Sequence, residues 1–310
     1  MAQAYAAVLQ AQGVSFQVIG RSHASAEAFN QATGLSVYEG GLEVALASLP
    51  VPQQAIVAVG VEQLAITARQ LLAAGCQRLL LEKPGALTLS CLEDLQAVAK
   101  ARVAQVFIAY NRRFYASVQQ LREQVVADGG ITSVVFEFTE WSHRLSDLRK
   151  APGVMEHWLL ANSTHVIDLA FHLIGLPAEG QWHAWTGGSL NWHPAAARFH
   201  GAGVSVRNVP FSYQADWEAP GRWGLELLTR QNRYLLRPME SLQAISLGSL
   251  EPKLIDLDDS LDSQYKPGLF RQCEAFLSQK LDSGQSAHLC TLQEQLEACR
   301  IYYRIAGYAL

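Results

Sequence analysis

Two short constellations in this 310-residue chain carry side chains suited to moving protons and stabilising charge. In His165-x-x-Asp168-x-x-x-His172 the three positions share one face of a helix, with Asp168 and His172 adjacent at i, i+4. A histidine beside a carboxylate suits general acid/base work near neutral pH, because the carboxylate orients the ring and stabilises its charged form. A capped or core histidine is the competing account, and a metal site from two His and one Asp lacks a fourth ligand at the usual spacing. Glu82-Lys83-Pro84 follows the apolar run Arg78 to Leu81. A cis Lys83–Pro84 bond would direct Lys83 into a crevice, where its ammonium bonds a substrate hydroxyl; a solvated strand-end lysine is the alternative.

Such residues need elements to hold them. Residues 2 to 12 read as an Ala-rich helix, Val14 to Ile19 as a strand, Ser25 to Gly34 as a helix and Ile56 to Val59 as a strand. The helix Leu64 to Ala74, the strand Arg78 to Leu81, the helix Ser90 to Ala101 and the strand Ala104 to Ala109 continue the alternation. That pattern signifies βαβ units and a parallel sheet, whose ligands bind beyond the carboxyl ends of the strands. A helix Tyr115 to Asp128 follows, and then Ile131 to Thr139, Val204 to Val209, Leu225 to Thr229 and Tyr234 to Arg237 alternate like half-buried antiparallel strands. Between them Trp158 to Ile174 reads as one amphipathic helix stopped by Gly175, and helices Gly268 to Leu281 and Thr291 to Ala306 close the chain.

A dinucleotide fold opens with an apolar strand and G-x-G-x-x-G/A, yet Met1-Ala2 already stands on the first helix. Ala2 matches the motif's last small residue, so the strand and two glycines are expected upstream of residue 1; a first helix that never met a dinucleotide is the other possibility. A strand of five or six buried side chains at ~1.5–3 kcal/mol each would contribute on the order of 10 kcal/mol, comparable to a domain's whole stability. After Ile19, Gly20 stands where an NAD site uses Asp or Glu on the ribose 2′-hydroxyl, whereas Arg21 and Ser22 offer bonds to a 2′-phosphate. NADP is therefore preferred over NAD, unless Arg21 is only an arginine in an exposed turn.

Composition narrows the class. The chain is 49% hydrophobic and 17% charged with a formal charge of −4, and it has no run of like charges, so neither a nucleic-acid face nor a basic membrane-docking surface is expected. Its five scattered cysteines lack CxxC spacing, and no stretch approaches a membrane span or a signal pattern, which points to a cytoplasmic protein with small soluble ligands. All seven tryptophans lie between Trp141 and Trp223, and seven of the nine histidines between His143 and His200. Two halves with different tasks are implied.

Glu82-Lys83-Pro84, Tyr110-Asn111-Arg112-Arg113-Phe114 and His165-x-x-Asp168-x-x-x-His172-Leu-Ile-Gly175, in this order, resemble the Gfo/Idh/MocA family of oxidoreductases. The similarity spans the chain and thins beyond residue 180. It implies an α/β protein: an NAD(P)-binding, Rossmann-like doubly wound parallel sheet over residues 1–114 with its first strand missing, and an α/β domain over 115–310 with a large, mostly antiparallel sheet. The final helices are expected to return to the first domain. The family's substrates are sugars, inositols or sugar derivatives, and its second domain commonly forms a homodimer or homotetramer through that sheet.

By family position Lys83 is the catalytic lysine near nicotinamide and substrate, Asp168 its partner and His172 the proton acceptor. Ala2, Arg21, Ser22, Gly60, Glu82, Lys83, Pro84 and Asn111 are the expected cofactor contacts, Arg113 and His165 the substrate contacts, and no metal is expected. Three departures stand out: the absent glycine motif, Gly60-Val61-Glu62 and Ala65 in place of a Thr-Pro-Asn-like turn and its following His, and Asn162-Ser163 in place of a glycine-rich approach to the catalytic helix. The alternative function is a non-catalytic sugar or nucleotide sensor on the same scaffold. Lys83, Asp168 and His172 together argue for an enzyme, and the missing glycine loop argues for the sensor.

Overall fold

The computed structural model describes residues 1–278 and 288–309. The chain divides into two compact units: Met1–Ala109 with Leu261–Gln295, and Tyr110–Ser260 with Leu296–Leu310.

The first unit alternates helix and strand: α1 (Ala2–Ala11), β1 (Val18–Ile19), α2 (His23–Thr33), β2 (Val37–Tyr38), α3 (Gly41–Ser48), β3 (Gln54–Val57), α4 (Leu64–Ala74), β4 (Arg78–Glu82), α5 (Leu89–Ala101) and β5 (Gln105–Ala109). Leu79, Leu80 and Leu81 are fully buried, the mark of a strand covered on both faces. Strands β3, β4 and β5 are parallel, with Val57 opposite Leu81 and Leu81 opposite Ile108. β1 and β2 form a separate parallel pair. The doubly wound order places a strand between β1 and β3; among the described residues the two ladders share none, and β3 is bonded on one side only.

This arrangement explains one difference from the sequence pattern. Val14 to Ile19 reads as a strand, but only Val18 and Ile19 are extended in a ladder, because β2 is their one hydrogen-bonded neighbour and a strand is defined by its partners. Short α3 and β2 carry little periodicity and escaped the pattern altogether.

The second unit opens with a 3-10 turn, Asn111–Phe114, then α6 (Ala116–Ala127), β6 (Ser133–Glu137), the short α7 (Ser142–Leu145), a π turn (Leu159–Ser163), α8 (Thr164–Ile174), β7 (Pro177–Gly187), β8 (Arg198–Ser205), β9 (Pro210–Asp216), β10 (Gly224–Leu228), β11 (Asn232–Leu236), β12 (Gln243–Ser246) and β13 (Lys253–Leu254). These strands form one sheet in the order β13-β12-β11-β10-β6-β9-β8-β7, antiparallel except for β6 and β9. Val134 and Phe136 of β6, Phe211, Tyr213 and Ala215 of β9, and Leu225 and Leu227 of β10 point to one buried face. α8 lies on that face through Phe171, whose ring meets Phe136 at 5.6 Å and Phe211 at 5.3 Å.

Trp158 to Ile174 is not a single regular helix. The backbone widens into the π turn before α8, where the side chains of Asn162 and Ser163 both donate to Glu140 Oε1, at 2.9 and 2.7 Å. β7 was not legible because its Trp, Gly and His residues do not alternate and its register shifts between Pro177 and Trp182. The stretch Val204 to Val209 is the end of β8 and the turn to β9.

The chain then supplies α9 (Ser260–Gln264), α10 (Leu269–Leu277), β14 (Cys290–Thr291) and α11 (Leu292–Ala306). α10 packs in the first unit, Phe276 meeting Phe107 at 6.4 Å, and β14 pairs antiparallel with β5. The sequence reading of a helix running on to Leu281 extends beyond residue 278, outside the described residues.

Candidate active-site residues

In the first unit, β4 ends in Glu82, and the Lys83–Pro84 peptide is cis. Two buried side chains hold this segment. Tyr5 of α1 donates its hydroxyl proton to Glu82 Oε1 at 2.8 Å, and Gln295 of α11 donates through Nε2 to the Pro84 carbonyl at 2.9 Å. Burial raises the Glu82 carboxyl pKa against the lowering effects of the Tyr5 bond and of Lys83; burial and Glu82 together raise that of Tyr5. The Tyr5 proton therefore stays in place, and Glu82 is the acceptor. Gly85 follows at φ +86°, in the left-handed region that favours glycine. Lys83 itself is half-buried.

Gly60 and Glu82-Lys83-Pro84 follow the carboxyl ends of the neighbouring parallel strands β3 and β4, so they share one edge of that sheet. Gly60 opens a 3-10 turn, and Glu62 Oε2 lies 2.7 Å from where a Cβ on residue 60 would stand. Arg21 is exposed beyond β1. Ser22 caps α2: its Oγ accepts from the Ser25 amide and Ser25 Oγ returns a bond, a reciprocal capping box. Ala2 is exposed in the first turn of α1, and the N-cap Met1 gives that turn no side-chain bond.

In the second unit the 3-10 turn after β5 buries Asn111 and Arg113. Arg113 donates through Nε to Asp168 Oδ2 at 2.8 Å and through Nη2 to Oδ1 at 2.6 Å; the two side chains are 6% and 3% exposed. This is the fork-to-fork geometry that only arginine offers a carboxylate. Arg122 of α6 adds a bond from Nη2 to the Arg113 carbonyl at 2.9 Å, and burial pushes its pKa down to about 10. On α8, His165 and His172 are half-buried and flank Asp168 on one helix face. Gly175 at φ +83° ends the helix, close to Val206 and Arg207.

The structure thus joins Arg113 to Asp168, places Glu82, Lys83, Pro84 and Gly60 at one sheet edge, and leaves Arg21 and Ser22 beyond the separate β1–β2 pair. Asn111, an expected cofactor contact, and Arg113, an expected substrate contact, belong to the second unit, and the other expected cofactor contacts belong to the first. Sequence reasoning gave no role to Glu140, which is 2% exposed and receives Asn162 and Ser163. Its one available signal was that Asn162-Ser163 departs from the glycine-rich approach to α8 that the family resemblance implies. Among the described residues no group of His, Cys, Asp or Glu is placed to hold a metal, and no helix is long and apolar enough to cross a membrane.

A parallel βαβ unit and a second unit with a large, mostly antiparallel sheet define a two-domain fold with a Rossmann-type first unit. Residues 1–110 match the family model GFO_IDH_MocA, described as "Oxidoreductase family, NAD-binding Rossmann fold". No curated protein sequence matches the chain. Among solved structures, UDP-N-acetylglucosamine 3-dehydrogenase GnnA from Acidithiobacillus ferrooxidans is similar with a TM-score of 0.72 at 14% identity, covering 99% of this chain and 93% of that one. The WlbA dehydrogenase from Bordetella pertussis, in complex with NADH and UDP-GlcNAcA, is similar with a TM-score of 0.71 at 14% identity over 98% and 91%. A super-repressor mutant of Gal80p from Saccharomyces cerevisiae shares the fold equally, with a TM-score of 0.75 at 14% identity over 98% and 91%.

Proposed function

We propose that the chain is an NADP-preferring dehydrogenase or reductase that moves hydride between nicotinamide and a carbinol carbon of a sugar-like substrate. The observation that carries this reading is the buried Arg113–Asp168 pair set into the helix that presents His165 and His172. An ion pair taken out of water pays a desolvation penalty, and such pairs concentrate where chemistry needs a fixed geometry. The similarity to dehydrogenases of nucleotide sugars supports the substrate class.

The residues present fit a dinucleotide with a phosphorylated ribose. Arg21 is exposed and has no ion-pair partner among the described residues. Gly20 offers no carboxylate to repel a phosphate, and the first turn of α1 at Ala2 has N–H groups without a side-chain cap. Ser22 and Gly60 would flank the adenosine side, and Glu82, Lys83, Pro84 and Asn111 the nicotinamide side. When bound, the nicotinamide supplies hydride transfer at its C4.

The protein's own part is proton and charge management. His172 takes the proton of the substrate hydroxyl as the carbon is oxidised. Asp168, one turn earlier, supplies negative charge that favours the imidazolium, and Arg113 fixes the position of that carboxylate. Lys83 stabilises the developing alkoxide. His165 contacts the substrate from the same face of α8. We further place the protein in the cytoplasm, where its five free cysteines stay reduced, and assign it a homo-oligomeric state through the sheet of the second unit.

Lys83→Ala and His172→Ala should each lower turnover by roughly 10²-fold or more without lowering the melting temperature. Near wild-type turnover in both variants sinks the mechanism. Titration with NADPH and NADH tests the cofactor: clear NADH preference removes the role given to Arg21 and Ser22. A second reading, a ligand-binding regulator without turnover, is favoured by the one-sided bonding of β3 in the cofactor unit. It is the correct one if cofactor and sugar bind and no substrate is turned over.

A further inference from the structure

The second unit contains a stack of alternating guanidiniums and rings that has no part in the chemistry above. Arg144 Cζ lies 4.5 Å from the centre of Trp141, and Arg222 lies 4.8 Å from the same ring and 4.6 Å from Trp223. Arg112 continues the stack at 4.7 Å from Trp223 and 5.7 Å from Tyr115. Three cations thus alternate with three aromatic rings.

Stacking occupies the faces of a guanidinium and leaves its five N–H donors, which lie in the plane, for other partners. Here several are unspent. Arg112 Nε and Trp223 Nε1, on adjacent rungs, are both buried without a hydrogen-bond partner. Arg222 meets Glu140 Oε2 only at 3.7 Å, beyond hydrogen-bond distance, and its side chain is 47% exposed. Glu140 is engaged by Asn162 and Ser163; Glu240 is the other acidic group that acts on Arg112, and it is exposed. The orphaned atoms are all donors, and a ligand that satisfies only donors is rich in acceptor oxygens and negatively charged.

The stack also adjoins the catalytic helix. The Trp223 ring lies 6.1 Å from that of His165, and Glu140 ties Arg222 to the π turn that starts α8. A ligand held by the stack would have its neighbouring atoms beside the face that carries His165 and His172.

We propose that the Arg112–Trp223–Arg222–Trp141 stack recognises an oxyanion, the carboxylate or phosphate of an acidic sugar, at the end of the substrate away from the reacting carbinol. This rests on the dehydrogenase reading for its second half only; anion recognition by the stack stands without it.

The test is calorimetric titration of the full chain with D-glucuronate, D-glucose 6-phosphate and D-glucose, each at low and high salt. At least one of the two anions should bind about tenfold or more tightly than glucose, with an affinity that falls as salt rises. The winning anion tells carboxylate from phosphate. Arg222→Gln, a change at a half-exposed side chain, should erase that preference and leave glucose binding and the melting temperature unchanged; Arg112→Lys, which keeps the charge and loses the stacked fork, should weaken it in part. Equal affinity for all three sugars, binding of none, or an anion preference that survives Arg222→Gln overturns the proposal. NADPH titration and turnover with neutral sugars, run on the same samples, report on the dehydrogenase reading independently. Cofactor binding without anion preference removes only the stack's role; the reverse pattern removes only the dehydrogenase.

Discussion

Arg113 and Asp168 are 55 positions apart, and their fork-to-fork pairing ties the 3-10 turn after β5 to α8. Spacing alone could place Asp168 on the face of His165 and His172; it could not name the cation that claims both carboxylate oxygens, because that choice is made by the sheet and the 3-10 turn, not by the helix. Removing one member of such a pair leaves an uncompensated buried charge, at a cost of about 3–5 kcal/mol. A second buried polar residue controls acid stability. His193 is fully buried, with Nδ1 2.7 Å from the Ala196 carbonyl and Nε2 2.7 Å from the Tyr308 hydroxyl. Burial pushes its pKa down to about 4 and raises that of Tyr308, so Tyr308 keeps its proton and donates to Nε2 while Nδ1–H donates to Ala196. Above pH 6.5 the ring is neutral folded or unfolded and contributes no pH dependence. Between pH 6.5 and about 4 the unfolded chain takes up a proton that the folded one refuses, so stability falls with pH, by about 3 kcal/mol in full. Equilibrium unfolding at pH 7, 5 and 4 should show that loss, and His193→Gln should flatten it; identical pH slopes in the two proteins would remove His193 as the cause.

At the scale of elements, the parts that could be read from sequence are those whose own residues decide them. α4 runs Leu64–Ala74 as its apolar periodicity and Gly75 require, and the buried leucines of β4 mark a central strand. The parts that could not be read depend on partners elsewhere. β1 is cut to two residues by its single neighbour, β7 is disguised by a register shift, and the π turn before α8 depends on Glu140, which precedes it by about one element. The turn after β4 combines both kinds: the motif Glu82-Lys83-Pro84 is visible, but Tyr5 and Gln295, which hold it, come from the two extremes of its unit. Gly85 tests how tightly that turn is specified. In Gly85→Ala the new Cβ would sit at φ +86°, 2.6 Å from the flexible Ile108 Cδ1. The strain should cost about 1–3 kcal/mol in denaturant unfolding and slow turnover through displacement of Lys83. A variant as stable as the parent would show that the turn relaxes freely.

For the whole molecule, the concentration of tryptophan and histidine in the middle of the sequence corresponds to the second unit, where His165 and His172 sit on α8 and the arginine–tryptophan stack adjoins it. That unit also presents its own apolar surface: Leu247, Leu250 and Leu254, around β12 and β13 at one end of the eight-stranded sheet, are 85%, 94% and 67% exposed. Burying a leucine fully contributes about 1.5–3 kcal/mol, so their cover by a second copy would add appreciably to self-association. Sedimentation of the parent chain should give a species larger than 34.0 kDa, and the triple change Leu247→Ser, Leu250→Ser, Leu254→Ser should return it toward that mass. A parent that sediments as a single chain excludes the oligomer. The first unit carries a different liability, at β3. Among the described residues β3 is bonded on one flank only, and the backbone donors and acceptors of such a flank can pair with an extended peptide. Ile56 and Ala55 on it are only half-covered, and nothing charged interrupts Ala55 to Val59. Cross-chain strand pairing is therefore expected to start at that flank, so workable concentration should be limited there before it is limited by the melting of either unit.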